Sequence, residues 1–333
     1  MDFLLLTVFA TSFLVTFLLT PLWIRAAPHA GLVGRDMNKH DKPTVAEIGG
    51  IPLVAGFTSG VLTYIAISTF YFKQDGFLVL ILAALLTVLS ITIIGIVDDI
   101  LRWKIGLKQW QKPLLTLPAA LPVMAVNAGQ SSMILPFIGS VDLGIIYPLL
   151  IIPIGVAGAA NGFNMLAGYN GLEAGMGAII LTTMGLVAWK TGETWVTMLA
   201  FSMVFALIAF LRYNWYPAKV FPGDTMTYSV GALIASVAIF GNMEKIAVLL
   251  FIPYILDFFL PLRAGLKVEA FAKPNKDNSL EMPYGDSWRD IYDSTHLALF
   301  VLKKLKTKVY EKDVVTFILS AELLIALVVI IWV

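Results

Sequence analysis

The stretch FLVLILAALLTVLSITIIGIV, from Phe77 to Val97, is followed directly by the acidic pair Asp98-Asp99. A helix needs about 20 apolar residues to cross the hydrocarbon core of a bilayer, and this run is long enough. An acidic pair at its end is unusual, because negative charge at a helix C-terminus opposes the helix dipole. The stretch therefore predicts a membrane-spanning helix that carries two acids to the membrane surface.

Similar apolar runs occupy most of the chain and decide the fold class. Of its 333 residues, 59% are hydrophobic and 14% are charged, whereas soluble domains are about 45–50% apolar and about 25% charged. This composition excludes a soluble enzyme, a disordered chain and a nucleic-acid-binding protein with a basic surface. It predicts an all-α, polytopic integral membrane protein with about ten transmembrane helices, near 3–24, 49–70, 77–97, 113–127, 143–160, 173–190, 195–212, 225–240, 245–262 and 314–333.

The basic residues predict the orientation, because cytoplasmic loops carry an excess of lysine and arginine. Of the 23 basic residues, 20 fall in the connections that follow odd-numbered spans. We therefore expect those connections to be cytoplasmic and both termini to lie on the non-cytoplasmic side. The chain, 1–333, is expected to form a single transmembrane domain with a cytoplasmic insertion at about 267–313. Its location would be the cell membrane in a prokaryote or the endoplasmic reticulum membrane in a eukaryote.

The acidic pair Asp98-Asp99 is the first candidate for chemistry. Adjacent residues on a helix point about 100° apart, so the two carboxylates cannot both face one atom squarely. One of them could bind or position a metal ion while the other pairs with a cation. The alternative is an ordinary solvated helix end, although the next cations along the chain come only at Arg102 and Lys104.

A second candidate segment, 158–175, is rich in glycine and asparagine and has no lysine or arginine. Asn161 and Asn164 would share one face if the helix extends that far, and Gly168 permits a tight turn that exposes backbone N–H groups. Such groups suit amide recognition of a polar ligand, with one oxygen ligand for a metal. The alternative is helix packing through small residues, which explains the glycines but not the asparagines. The candidate residues are Asn161, Asn164, Gly168, Asn170 and Glu173.

A third segment, 214–227, combines aromatic residues with a turn signal at Pro222-Gly223. Asp224, just after the turn, could cap the next helix or bind a metal. Phe221 could be an interfacial aromatic residue or a stacking platform for a base.

Three cations stand near these segments. Lys39, close to Asp36 in the first connection, could meet a phosphate or metal cluster, or could simply belong to a basic loop. Lys112 and Arg263 are expected at the cytoplasmic ends of the fourth and ninth helices, where they could contact a ligand or extend toward the headgroups.

All of these candidates fall at the cytoplasmic ends of helices. A transporter is expected to place polar residues near the middle of the bilayer, on paired repeats, whereas an enzyme that joins a soluble donor to a lipid acceptor needs its site at the interface. Acids and amides without a histidine cluster, in a chain that has no cysteine, suit Mg²⁺, which binds carboxylates and substrate phosphates. Mn²⁺ is the alternative ion.

Together the motifs resemble the polyprenyl-phosphate N-acetylhexosamine-1-phosphate transferases, and within them the UDP-GlcNAc:dolichyl-phosphate branch of eukaryotes and archaea. The matching segments occur in the family's order and span nearly the whole chain. They are Asp36-Met-Asn-Lys39, Asp98-Asp-Ile-Leu101, Asn164-Met-Leu-Ala-Gly-Tyr-Asn-Gly-Leu-Glu-Ala-Gly175, and Asn214-Trp-Tyr-Pro217 with Phe221-Pro-Gly-Asp-Thr225.

The resemblance implies roles for most of the candidate residues. Asn164 and Asp224 look like Mg²⁺ ligands beside the donor diphosphate, and Lys112 looks like the lysine that contacts this diphosphate. The other implied roles are the acidic pair required for activity, Asp98 and Asp99, and the uracil site, Gly168 and Asn170 with Phe221 stacking on the base.

The implied reaction transfers GlcNAc-1-phosphate from a UDP-sugar to a polyprenyl or dolichyl phosphate and releases UMP, as the first step of lipid-linked oligosaccharide synthesis for N-glycosylation. The branch carries several arginines and a histidine after the ninth helix, where this chain offers only Arg263. Because that region is near the expected sugar pocket, another UDP-hexosamine or another polyprenol is the first alternative. A lipid or nucleotide-sugar transporter is the second. The bilayer is the expected surrounding, nucleic acid is not an expected partner, and a homodimer is an open alternative to a monomer.

Overall fold

A computed structural model of the chain describes residues 2–73, 76–102, 110–135, 139–265 and 268–333. Helices dominate these residues, which confirms the prediction of an all-α, polytopic membrane protein. The α-helices in chain order are Asp2–His29 (α1), Gly50–Ile67 (α2), Leu78–Arg102 (α3), Gln111–Thr116 (α4), Leu121–Ala125 (α5), Ile152–Phe163 (α6), Leu172–Lys190 (α7), Thr194–Asn214 (α8), Gly223–Phe240 (α9), Glu244–Leu250 (α10), Ile252–Leu262 (α11), Ser294–Leu305 (α12) and Glu311–Trp332 (α13).

Seven helices in the described part of the chain are long and apolar enough to cross a membrane, namely α1, α2, α3, α7, α8, α9 and α13. The pair α10 and α11 meets at 55° and forms an eighth candidate. The fourth predicted span is built from α4, a 3₁₀ turn at Leu117–Ala120 and α5, because its prolines remove backbone donors. The fifth joins a π-helical turn at Tyr147–Ile151 to α6. All ten predicted spans thus fall on mainly helical backbone, while the count of ten crossings and the side of the termini stay predictions.

Short antiparallel hairpins lie in the loops between the helices. The paired strands are Val33–Arg35 (β1) with Thr44–Ala46 (β2), Ser132–Leu135 (β3) with Gly139–Asp142 (β4), and Lys273–Pro274 (β5) with Leu280–Glu281 (β6). In the first hairpin Val33 is opposite Ala46, and Ala46 also forms a parallel bridge to Val220. The loop after α1 is therefore joined to the loop after α8.

Helix α9 lies at the centre of the packing, and every residue in it after Gly223 is buried. Glycines let its backbone approach two neighbours: a Cβ on Gly95 of α3 would lie 2.7 Å from the Thr225 Cα, and one on Gly231 would lie 2.7 Å from the Ala160 Cα of α6. Small-residue packing, the alternative considered for segment 158–175, does occur where Ala160 meets α9. The close approach at Gly95 places the end of α3 beside the start of α9.

Candidate active site

A cavity of about 840 Å³ opens where the connections after the odd-numbered spans come together. Its walls come from the loop after α1, the ends of α3 and α4, the loops that precede α7 and α9, and the segment before β5. The volume lies within the range of about 300–1,000 Å³ typical of ligand sites. Eight of the predicted site residues line it: Asp98, Asp99, Lys112, Asn164, Gly168, Glu173, Phe221 and Asp224.

Lys112 lies between two carboxylates in the cavity wall. Its Nζ is 2.9 Å from Asp98 Oδ2 and 2.8 Å from Asp224 Oδ2. Burial lowers the pKa of Lys112, but the carboxylates of Asp224 and Asp98 more than offset this effect, so the pKa is raised above its ordinary value. Lys112 is therefore a cation at neutral pH. With Asp99 these residues form what we call the Lys112 cluster, consisting of Asp98, Asp99, Lys112 and Asp224.

The two neighbouring acids of α3 make different contacts. Asp99 accepts hydrogen bonds from the backbone N–H groups of Asp224 at 2.8 Å and Thr225 at 2.9 Å, and from the Thr225 hydroxyl at 2.6 Å. Asp98 Oδ2 accepts a bond of 2.9 Å from the Tyr228 hydroxyl, while Asp98 Oδ1 is buried without a hydrogen-bond partner among the described residues. Asp99 thus holds the start of α9, whereas Asp98 keeps one carboxylate oxygen unused.

The N-terminus of α9 is capped by another helix. From the sequence, Asp224 was a candidate to cap its own helix. In the structure, the residue that precedes α9 makes no side-chain capping bond, and the Asp99 carboxylate accepts hydrogen bonds from N–H groups in the first turn of α9 instead. Gly223 has a φ of +71°, a region that favours glycine, and a Cβ at this position would lie 2.5 Å from Asp99 Oδ2. The turn therefore gives Asp99 access to the backbone, and the Asp224 side chain is directed to Lys112.

The two asparagines of α6 contact different helices. Asn164, the residue after the end of α6, lines the cavity, and its Oδ1 accepts a hydrogen bond of 2.7 Å from the Thr227 hydroxyl. Asn161 does not line the cavity. Its Nδ2 donates to Thr116 Oγ1 at 2.8 Å and so joins α6 to α4. The two asparagines therefore contact different neighbours, and a role of Asn161 in substrate binding stays a prediction.

The turn before α7 meets an aromatic side chain that the sequence did not indicate. Gly168 has a φ of +98°, and a Cβ on it would lie 2.9 Å from Cε1 of Phe271. The buried Glu173 accepts a hydrogen bond of 2.9 Å from the Gly168 N–H. Phe221 is fixed by its backbone N–H, which donates to the Ala46 carbonyl at 2.7 Å. Two phenylalanines, Phe221 and Phe271, thus line the same cavity.

Besides Asn161, three predicted substrate-binding residues do not line the cavity. Lys39 and Asn170 are buried in what we call the Lys39 cluster, consisting of Asp36, Lys39, Asn170 and Glu311. Arg263 is exposed; its guanidinium donates to the Ile291 carbonyl and lies 5.6 Å from the centroid of the Tyr292 ring. Arg263 therefore ties the end of α11 to the segment before α12.

Comparisons with known proteins identify the family of this chain. The profile of glycosyl transferase family 4 matches residues 81–242. A Saccharolobus solfataricus protein, provisionally named UDP-N-acetylglucosamine–dolichyl-phosphate N-acetylglucosaminephosphotransferase, is 36% identical over 271 residues, which are 81% of each chain. The chain belongs to the polyprenyl-phosphate N-acetylhexosamine-1-phosphate transferase family. A Sulfolobus acidocaldarius relative with the same provisional name is 34% identical over 79% of each chain. A Dictyostelium discoideum protein of that name is 30% identical over 74% of this chain and 68% of its own length.

Family membership confirms the resemblance drawn from the motifs and favours a transferase over a transporter. The sequence did not identify several residues that support the transferase cavity. Thr227 and Tyr228 follow Asp224 by three and four residues, so helical spacing alone would have placed them on its face. Glu311 and Phe271 carried no comparable local signal.

The side chains of this transferase fit the Mg²⁺ that the family resemblance implies. Within the described residues, no group of three histidine, cysteine, aspartate or glutamate side chains could hold a metal ion by itself. Asn164 and Asp224 both line the cavity, and Asp98 Oδ1 is a buried carboxylate oxygen without a partner there. Because Mg²⁺ takes one or two carboxylates and completes its shell with water and substrate phosphates, this donor set suits it.

Proposed function

We propose that this protein transfers N-acetylglucosamine-1-phosphate from UDP-N-acetylglucosamine to a polyprenyl or dolichyl phosphate and releases UMP. One observation carries the proposal: Asp98, Lys112 and Asp224 meet in a cavity between the helices of a membrane protein whose relatives are named for this reaction. We place the cavity on the cytoplasmic side, because the connections that form its walls carry 20 of the 23 basic residues.

The charge of the cavity wall supports the use of a divalent cation. The acidic lining residues outnumber the basic ones, Arg35 and Lys112, by six to two; the acids are Asp36, Glu47, Asp98, Asp99, Glu173 and Asp224. The donor diphosphate and the acceptor phosphate are both anions, so such a wall would repel them without added positive charge. Asn164, Asp224 and Asp98 would hold Mg²⁺, with Mn²⁺ as an alternative, and the bound ion would neutralise charge on the phosphates.

The reaction exchanges one phosphorus–oxygen bond for another. An oxygen of the lipid phosphate attacks the β-phosphorus of the donor, the bond from that phosphorus to the bridging oxygen breaks, and UMP leaves with the bonding electrons. A phosphate monoester has a second pKa of about 6, so the acceptor is largely a dianion at neutral pH. The protein therefore needs no strong base, and its main tasks are positioning and charge neutralisation.

The contacts of the Lys112 cluster divide these tasks. Lys112 would exchange part of its pairing with Asp98 and Asp224 for the donor diphosphate. Asp98 would orient the acceptor phosphate through the ion that its unused oxygen helps to hold; removal of a proton from the acceptor monoanion is the alternative role of that oxygen. Asp99 would act indirectly, because both of its oxygens hold the start of α9.

The proposal is tested by incubating purified protein with polyprenyl phosphate, Mg²⁺ and a panel of UDP-sugars, and by measuring UMP and the lipid-linked product. We expect the highest UMP release with UDP-N-acetylglucosamine, its loss on chelation with EDTA and its recovery with added Mg²⁺. Faster release with another UDP-hexosamine would change the proposed sugar only. Folded protein that releases no UMP with any donor would refute the transferase activity. Turnover of Asp98→Asn equal to wild type at every pH would exclude proton removal by Asp98.

A further inference from the structure

A second lysine, Lys39, is held between carboxylates beside the cavity. Its Nζ is 3.0 Å from Asp36 Oδ2, forms an ion pair with Glu311 and lies 4.3 Å from the centroid of the Tyr216 ring. The exposed fractions are 6% for Lys39, 3% for Asp36 and 2% for Glu311. Because buried charges require partners, these three residues fix one another's positions.

Asn170 connects this ion pair to the turn before α7. Its backbone N–H donates to Glu311 Oε1 at 2.6 Å, and its Nδ2 donates to Asp36 Oδ2 at 3.2 Å. Its Oδ1 accepts a bond of 2.8 Å from the Ala218 N–H in the loop after α8. The Lys39 cluster thus links the loop after α1, the turn before α7 and the first residue of α13.

The cluster continues into the cavity wall through Asn38. The Asn38 N–H donates to Asp36 Oδ1 at 3.3 Å, and its side chain donates to the Gly168 carbonyl at 2.9 Å. The same side chain accepts a bond of 3.1 Å from the N–H of Ala272, the neighbour of Phe271. Gly168 and Phe271 both line the cavity, whereas Glu311 does not. The chain of hydrogen bonds that begins at Glu311 therefore supports two segments of the cavity wall.

We propose that Glu311 is a positioning residue for the donor sugar nucleotide, an inference that rests on the transferase function proposed above. The segments that Glu311 holds are loops outside the membrane-spanning helices. A water-soluble donor enters from the side of these loops, whereas a lipid acceptor arrives from the bilayer. Loss of the Glu311 carboxylate therefore raises the KM for the donor and leaves kcat and the KM for the lipid nearly unchanged.

Two substitutions separate the contacts of Glu311. Glu311→Gln keeps an oxygen that can accept the Asn170 N–H but removes the charge that faces Lys39, and Glu311→Met removes both. Asp277→Asn is the matched control, because Asp277 forms an exposed ion pair with Lys308 at 2.6 Å. We expect the KM for UDP-N-acetylglucosamine to rise about tenfold with Gln and about a hundredfold with Met, the range typical of lost supporting contacts. The control should stay at the wild-type KM.

Calorimetric titration with UMP is the second measurement, because it does not depend on turnover. Affinity for UMP should fall by about the same factor as the donor KM rises. A Glu311→Gln variant with the KM and UMP affinity of Asp277→Asn would overturn the inference, as would a loss confined to kcat. If Glu311→Met does not fold, the Gln variant decides. Wild-type protein that binds UMP but shows no turnover would refute the transferase proposal alone, and wild-type protein that does not bind UMP would refute both.

Discussion

Two lysines in this transferase each lie between two carboxylates, and their surroundings differ. The Lys112 side chain is 22% exposed and lines the cavity, next to a carboxylate oxygen of Asp98 that has no hydrogen-bond partner among the described residues. The Lys39 side chain is 7% exposed and lies in a cluster whose polar groups bond to one another. Residue types alone therefore do not distinguish the lysine that we propose to meet substrate from the lysine that supports the cavity wall. Access to the cavity and an unused polar atom separate them.

The largest effect is expected on stability, from Lys39→Met. This change leaves Asp36 and Glu311 buried without their cation, and breaking a buried ion pair lowers the free energy of unfolding by about 3–5 kcal/mol. Thermal unfolding of the purified protein in detergent measures the loss. A melting temperature equal to that of wild type would contradict the buried pairing of Lys39.

Lys112→Met should act mainly on turnover. The substitution removes a cation from the place where the diphosphate is proposed to bind, and loss of one such electrostatic contact lowers kcat by about 10²–10³-fold. Asp98 and Asp224 are themselves buried, so the melting temperature should also fall, but less than in Lys39→Met, because the Lys112 side chain is 22% exposed against 7% for Lys39. UMP release measures the loss of turnover, and thermal unfolding of the same preparation measures the change in stability. Activity within a fewfold of wild type would remove Lys112 from the proposed mechanism.

His296 is a buried titratable residue that, unlike the two lysines, forms no ion pair among the described residues. In α12, burial lowers the pKa of His296 to about 4 from its ordinary value of 6.5. The imidazole is therefore protonated below pH 6.5 in the unfolded state but only below about pH 4 in the folded state. Because the unfolded state binds this extra proton, the wild-type protein loses stability as the pH falls from 6.5 to 4. One pKa unit corresponds to 1.36 kcal/mol, which makes the loss about 3 kcal/mol at pH 4. His296→Phe should lack this component when unfolding is followed at pH 7 and pH 4.5, and an unchanged pH dependence would contradict it.

The smallest expected effect separates the acids of α3. In Asp99→Asn an amide NH₂ would face the N–H donors of α9, and an unsatisfied buried donor lowers stability by about 1–3 kcal/mol. Asp98→Asn can still accept the Tyr228 hydroxyl bond, so its stability should change less while its turnover falls more. Equal melting temperatures and equal turnover in the two variants would show that the acids are interchangeable.

The fold could be predicted where one property repeats along the chain. Apolar runs of sufficient length located all ten helical segments. The motifs at the ends of these segments identified eight residues that line one cavity. The interruptions in the fourth and fifth helical segments could be predicted only in part. Their prolines indicate that a regular α-helix is disfavoured, but they do not determine whether a 3₁₀ or a π-helical turn replaces it.

Contacts between distant segments could not be predicted. Lys39 and Glu311 are 272 positions apart, and nothing near Glu311 indicates a buried partner, since it follows the basic stretch from Lys303. Asp99 and Asp98 look equivalent in the sequence, and only the position of α9 gives one of them the capping contact. The resemblance to the family implies that Asn170 reads the uracil, and nothing in its motif indicates that the side chain is buried in the Lys39 cluster.

Helix α9, which carries Asp224, is enclosed by protein. Of its residues in the span, 94% are buried, against 28% for α1 and 33% for α13. A change in bilayer thickness or in acyl-chain order therefore acts directly on α1 and α13, but it reaches Asp224 only through the helices packed around α9. We therefore expect the position of Asp224 in the Lys112 cluster to depend little on the composition of the membrane.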